Sequence, residues 1–422
     1  MWILYELLYI LGFILYLPSA LRRRRLPHAG WRMRLGRYPA GMLAPLGGRR
    51  PVWIHAVSVG ETLAVRPLLR ALKAEWPGDP IVLSSITPSG YAVASQQGAD
   101  VCVYVPLDLR GPITRAFDAV RPSCLLLVES ELWPMLLRQA AARNIPVAVV
   151  NGRVSPRTFK RYQLLRPWLR GPFGCVRLFL MQSQQDADRL ATLGVPAERI
   201  RVTGSLKWEA SKSSAPEPAA VSAVASRLGL NGSGPVITAG STHRGEEALI
   251  LDAFRAVRSS YPGARLILAP RHLERLDDVE ELVRQSGLTG VRTSASGASE
   301  WDVAVVDVFG QLPLFYAVST VAIIGGSFIP HGGQNPLEAA SQGKPVVYGP
   351  SMHNFEAISH QLLAHHAARQ AGNDGELTLV LKKILEHPDE AAQMGARARQ
   401  LTEQFQGATQ RILDALREIF AR

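Results

Sequence analysis

Between Pro51 and Gly204, short apolar runs alternate with segments whose apolar residues recur at helical spacing. The runs Val52–Val57, Ile81–Ile86, Val101–Val105, Cys124–Val128, Pro146–Val150 and Leu178–Met181 predict strands. Helices are expected to begin near Glu61, Pro88, Pro112, Leu132, Pro156 and Ser183. Proline at several of these starts suits a first helical turn, where its missing N–H has no partner to lose. From Ser211 to Ala220 the periodicity stops and Ser, Ala, Pro and Glu dominate, which reads as a linker. Alternation resumes with Pro235–Ala239, Arg265–Ala269, Val303–Val306, Val321–Ile324 and Pro345–Val347, followed by a helical pattern from Glu386 to Phe420. Strands alternating with helices argue for parallel sheets flanked by helices. The expected architecture is α/β: two Rossmann-like doubly wound domains, 51–210 and 235–422, facing a cleft and joined by a linker at 211–234.

Ahead of the first strand, Trp2–Leu17 is apolar except for Glu6, and the arginines Arg22, Arg23, Arg24 and Arg25 follow it. Sixteen helical residues span about 24 Å, against about 30 Å of bilayer hydrocarbon, and extension to Leu21 closes the gap. The charges follow the apolar run, unlike those of a signal peptide, so the positive-inside rule places the body in the cytoplasm. The expectation is a single-pass membrane-anchor helix at 1–21, trailed by a basic juxtamembrane segment at 22–50. An interfacial helix and a helix packed on the protein are the alternatives.

The chain has 422 residues, enough for two domains, and its formal net charge is +12. That charge calls for an acidic partner. No zinc-finger spacing, RNP-type strand or basic helix points to nucleic acid, and none is expected. An anionic membrane leaflet suits the arginine cluster better. Cys102, Cys124 and Cys175 form no CxxC pair and read as thiols in a reducing compartment.

Chemistry concentrates where predicted strands end. Glu61, in Ser58-Val59-Gly60-Glu61, is either a reactive carboxylate or an ordinary first-turn residue favoured by the helix dipole. Glu129 and Glu131 follow the Cys124–Val128 run, and two carboxylates there need partners or a task. Ser241, Thr242 and His243 join a strand to a helix, where N–H groups and hydroxyls can bind an anion or simply cap. No GxxxxGK[ST] is present. Arg271 follows the next strand. After Val321–Ile324 come Gly325, Gly326 and Ser327, then Gly332, Gly333, Gln334, Asn335, Pro336, Leu337 and Glu338. Asn335-Pro336 suits a helix start, and Glu338 lies one turn in, placed to accept from ribose hydroxyls. His243, His272 and His331 lack metal-ligand spacing, so no metal is expected.

In this order, with Gly204-Ser205-Leu206-Lys207, Gly245-Glu246-Glu247 and Pro270-Arg271-His272 between them, these motifs resemble those of 3-deoxy-D-manno-octulosonic acid (Kdo) transferases, glycosyltransferase family 30. The resemblance covers nearly the whole chain. It implies a GT-B fold and transfer of Kdo from CMP-Kdo to the lipid A precursor (lipid IVA) at the cytoplasmic face of the inner membrane. Glu61 would be the general base. Arg271 and Asn335 would hold CMP and Glu338 its ribose, among the glycines Gly325, Gly326, Gly332 and Gly333 and Ser327. Lys207 and the Ser241–His243 turn would lie near the donor's phosphate or carboxylate, and Glu129 and Glu131 on the acceptor side. The first domain would bind acceptor and the second the CMP-sugar, with no cofactor. Gln334 departs from the family, which often has histidine there. The competing readings are a GT-B transferase using a UDP-sugar and a non-catalytic sensor of sugar nucleotides or anionic lipid.

Overall fold

The computed structural model describes residues 2–22, 30–130, 132–212, 216–230, 232, 234–295 and 300–420. These form two compact units, one of residues 1–210 with 405–422 and one of residues 211–404.

The first unit contains a seven-stranded parallel sheet. Its strands are β1 (Val52–His55), β2 (Ile81–Ser85), β3 (Val101–Tyr104), β4 (Cys124–Val128), β5 (Val147–Gly152), β6 (Leu178–Met181) and β7 (Ile200–Val202). They lie in the order β3-β2-β1-β4-β5-β6-β7. The central strands are apolar on both faces because helices cover both. Trp53, Val82, Leu125 and Leu127 face one core with Phe117 and Leu136. Ile54, Leu83, Leu126 and Val128 face the other, with Leu68 and Leu72.

The second unit repeats the plan. β8 (Val236–Thr242), β9 (Arg265–Pro270), β10 (Gly290–Arg292), β11 (Val303–Val305), β12 (Val321–Ile324), β13 (Val346–Tyr348) and β14 (Ala368–Gln370) form a parallel sheet. Their order is β10-β11-β9-β8-β12-β13-β14. In both sheets the order reverses beside the first strand, between β1 and β4 and between β8 and β12. Loops at the carboxyl ends of such a pair splay apart, which is where open α/β sheets bind ligands.

Three features depart from the sequence reading. The C-terminal helix Ala408–Ile419 was expected in the second domain but packs on the first sheet. Its Ala408, Ile412 and Leu416 join the core of Ile54 and Leu72, and Arg411 Nε donates to the Thr203 carbonyl at 2.8 Å. Residues 211–234 are not only a linker: they contain the helix Pro218–Arg227. Val224, Leu228 and Leu230 bury against Ile267 and Trp301 of the second unit.

The third concerns the expected membrane anchor. A helix does run from Trp2 to Arg22, but among the described residues no helix is long and apolar enough to cross a membrane. One side of it is docked on the first unit. The Tyr5 hydroxyl donates to Asp108 Oδ2 at 2.6 Å, Glu6 Oε1 accepts from the Arg110 N–H at 2.6 Å, and Phe13 stacks on Trp31 with centroids 6.1 Å apart. Leu4, Leu7, Leu8, Leu11, Ile14 and Leu15, at helical spacing on another side, are exposed. Glu6 therefore has a partner on the protein. Arg23, Arg24 and Arg25 lie outside the described residues.

Candidate active site

In the first unit, β1 delivers its chain to the short helix Val59–Ala64. Ser58 caps that helix: its Oγ accepts from the Glu61 N–H at 3.3 Å. The Glu61 carboxylate folds back, with Oε2 accepting from the Val57 N–H at 2.8 Å and Oε1 from the Ser58 hydroxyl at 3.0 Å. This is a variant of the capping box, with the carboxylate reaching the N–H one residue before the N-cap. It holds a half-buried carboxylate in one orientation at the switch point.

Across the switch point, Glu129 ends β4 with φ at +60°. A side chain in the left-handed region costs roughly 1 kcal/mol and persists only where surrounding contacts fix it. Lys207 supplies one: its Nζ lies 2.8 Å from Glu129 Oε1, with the two side chains 14% and 15% exposed. Among the described residues that oxygen has no hydrogen-bond partner, and the contact with Lys207 is an ion pair. The backbone just before Lys207 is held by Asn151, buried at the end of β5 with φ at +55°, whose Oδ1 accepts from the Leu206 N–H at 2.9 Å. Lys207, expected near the donor, is thus paired within one unit with Glu129, expected on the acceptor side. Glu131 lies outside the described residues.

In the second unit, the loops after β8, β9 and β12 meet. Ser241 has φ at +56° and forms an irregularity that pairs Thr242 with Pro270. Thr242 is buried, and among the described residues its Oγ1 has no hydrogen-bond partner. The His243 ring lies 4.1 Å from that of His331 and 5.6 Å from that of His272, centroid to centroid. Its Nε2 is 2.8 Å from the Gln334 amide nitrogen. Burial, then the neighbouring His331, His272, Arg271 and Arg275, push the His243 imidazole down to about 4, so it is neutral at pH 7. With Nε2 accepting from the Gln334 amide, the proton sits on Nδ1. Gln334, where the family often has histidine, therefore still engages an imidazole.

Arg271 follows β9. Its N–H donates to the Thr242 carbonyl at 2.9 Å, and its charge acts on both His243 and Glu338. Among the described residues its guanidinium makes no hydrogen bond. Glu338 is half-buried on the helix Leu337–Ser341, and burial raises its carboxyl above the ordinary value, against the pull of Asn335 and Arg271. Asn335 Nδ2 reaches Glu338 Oε1 at 3.4 Å, and its Oδ1 accepts from the Leu337 N–H at 3.1 Å. Arg271, Asn335, Glu338, His243 and Gln334 thus surround one corner of the sheet. They offer a cation, an amide and a carboxylate suited to an anion beside a polyol.

The glycine loop is tied to its neighbours through its own backbone. The Gly325, Gly326, Gly332, Gly333 and Gln334 N–H groups are all donated within the protein, to Gly240 O, Glu246 Oε1, Ser351 Oγ, Gly326 O and Gly325 O. A Cβ on Gly325 would collide with the backbone of Ser241, so this glycine serves close packing. Ser327 is buried, its hydroxyl donating to the Ile324 carbonyl at 2.5 Å and accepting from the Gly349 N–H at 2.7 Å. Sequence reasoning passed over Asn151, whose contact with Leu206 spans 55 residues and leaves no local signal.

Among the described residues, no group of three or more His, Cys, Asp or Glu side chains is arranged to hold a metal.

Comparison with known proteins bears on both units. A sequence model for 3-deoxy-D-manno-octulosonic-acid transferase (kdotransferase) matches residues 29–210. A 3-deoxy-D-manno-octulosonic acid transferase of Bordetella pertussis is 34% identical over 94% of this chain and 94% of its own. That of Haemophilus influenzae is 31% identical over 88% of this chain and 87% of its own. Among solved structures, a putative UDP-N-acetylglucosamine 2-epimerase of Listeria monocytogenes, 16% identical, aligns with a TM-score of 0.62 over 88% of this chain and 96% of that one. That last likeness is one of α/β fold. The transferases are similar over most of the chain's length, and the chain belongs to the Kdo transferase family of glycosyltransferases.

Proposed function

We propose that the protein transfers Kdo from CMP-Kdo to a sugar hydroxyl of the lipid A precursor (lipid IVA), with inversion at the anomeric carbon. The observation that carries this reading is the pair of switch points. One presents an oriented carboxylate, and the other presents a guanidinium, an imidazole pair and a carboxylate suited to a nucleoside monophosphate.

Glu61 accepts the proton of the acceptor hydroxyl as that oxygen attacks the anomeric carbon, opposite the leaving CMP. The bond to CMP breaks through an oxocarbenium-like state, and the electron pair leaves on the phosphate oxygen. A base held in reach of the hydroxyl contributes about 10²–10⁴-fold. Arg271 meets the phosphate charge. Asn335 orients the nucleotide, and Glu338 accepts from the ribose. Positively charged side chains can stabilise a single departing phosphate, so no metal enters the scheme. Ser241, Thr242 and His243 line the donor's anionic end. Glu129, with Lys207 beside it, lies on the acceptor side.

The acceptor is a lipid, and the N-terminal helix suits a membrane surface. Its Tyr5 side holds the body while Leu7, Leu8, Leu11 and Leu15 enter the interface of the inner membrane, near anionic headgroups on the cytoplasmic side. The test is incubation of the pure protein with CMP-Kdo and tetraacylated lipid A precursor in EDTA, read by mass spectrometry. A mass gain of one or more Kdo units is expected. An unchanged acceptor, with activity only on a UDP-sugar, would overturn the reading.

A further inference from the structure

The loops on the donor side are gathered by a group that plays no part in the scheme above. Glu246 is fully buried at the start of the helix Glu247–Arg258. Its Oε1 accepts from the His243 N–H at 2.8 Å and from the Gly326 N–H at 2.5 Å, and its Oε2 from the Phe328 N–H at 3.3 Å. One carboxylate thus ties the loop after β8 to the loop after β12. Hydrogen bonds to an ionised acceptor are about twice as strong as neutral ones, and three of them oppose, without cancelling, the burial that raises this carboxyl above its ordinary value. The tie reaches the site surface through Gly326. A Cβ there would lie 3.2 Å from the His331 ring, 3.3 Å from the His243 ring and 3.5 Å from the Gln334 side chain. The backbone held by Glu246 is therefore the floor beneath the imidazole pair.

We propose that Glu246 is a positioning residue for donor binding: it fixes the His243 and Gly326 backbones so that His243, His331 and Gln334 present one preformed surface to the nucleotide's anion. This rests on reading those loops as the donor side. Its neighbour Glu247 serves as an internal comparison. It is equally buried on the same helix but pairs with Arg275 at 2.9 Å, and among the described residues its side chain makes no hydrogen bond to either loop.

The test measures CMP affinity by calorimetry, together with hydrogen exchange, for wild type, Glu246→Gln, Glu246→Asp and Glu247→Gln. An amide at position 246 turns a donor toward N–H groups that need an acceptor. Glu246→Gln should weaken CMP binding by about 10- to 100-fold and speed exchange in residues 325–330, with Glu246→Asp between it and wild type. KM for CMP-Kdo should rise while kcat at saturating donor stays within about threefold. Glu247→Gln should lower the melting temperature without weakening CMP. Wild-type affinity retained in Glu246→Gln, or an equal loss in Glu247→Gln, would overturn the proposal. Wild-type protein that binds no CMP would instead sink the donor-side reading on which it rests.

Discussion

Replacing Lys207 with methionine removes the cation beside Glu129 while keeping most of the side chain's length. With 14% and 15% of the two side chains exposed, the pair is closer to a buried than a surface ion pair. Breaking a fully buried pair costs about 3–5 kcal/mol, mostly from the charge left behind, whereas exposed pairs are worth about 0–1 kcal/mol. Discounting for the remaining solvent contact gives about 2–3 kcal/mol for Lys207→Met. The lone carboxylate would also sit on a residue whose +60° φ already costs free energy. Removing the charge as well should recover most of the loss. The double variant Lys207→Met/Glu129→Gln is expected to lie within about 1 kcal/mol of wild type, a coupling of about 1–2 kcal/mol. Equilibrium urea unfolding measures it, with hydrogen exchange of β4 and β5 amides identifying the first unit's transition. Lys207→Met within about 0.5 kcal/mol of wild type, with no coupling to Glu129→Gln, would refute the view that this pair organises the loop.

Three further outcomes are expected. Ile412→Ala should destabilise the first unit by about 2–5 kcal/mol in urea unfolding and leave the second unit's transition in place, because Ile412 is fully buried against the first sheet. His55 is fully buried with its imidazole pushed down to about 4, so between pH 6.5 and 4 the unfolded chain binds the extra proton. Stability should fall by about 3 kcal/mol over that window on acidification, and His55→Gln should flatten that part of the unfolding profile. Asp108, raised to about 6 by burial, contributes with the opposite sign in both proteins and cancels in the comparison. Leu7→Ser/Leu11→Ser should release the protein from anionic vesicles in a flotation assay, whereas helix burial on the protein would leave flotation unchanged.

The central strands were legible because helices on both faces make them continuous apolar runs. The edge strands β7, β10 and β14 were not, for they are three residues long and partly polar, as with the exposed Val202 beside Arg201. An amphipathic helix such as Ala408–Ile419 announces an apolar face but not which sheet it covers. Hydropathy likewise could not show that Glu6 meets a backbone N–H 104 residues away, which changes the meaning of the whole N-terminal run. At the site, the residue types at the strand ends could be read directly. Who uses the glycine N–H groups could not, since the carboxylate bound to Gly326 lies 80 residues earlier.

The account turns on Glu61, and single-turnover Kdo transfer by Glu61→Gln tests it most directly. Gln keeps the size and one acceptor oxygen of the capping box but cannot take the acceptor's proton. The transfer rate should fall by about 10²–10⁴-fold with CMP affinity unchanged. A rate within about threefold of wild type, with product of the same anomeric configuration, would contradict it.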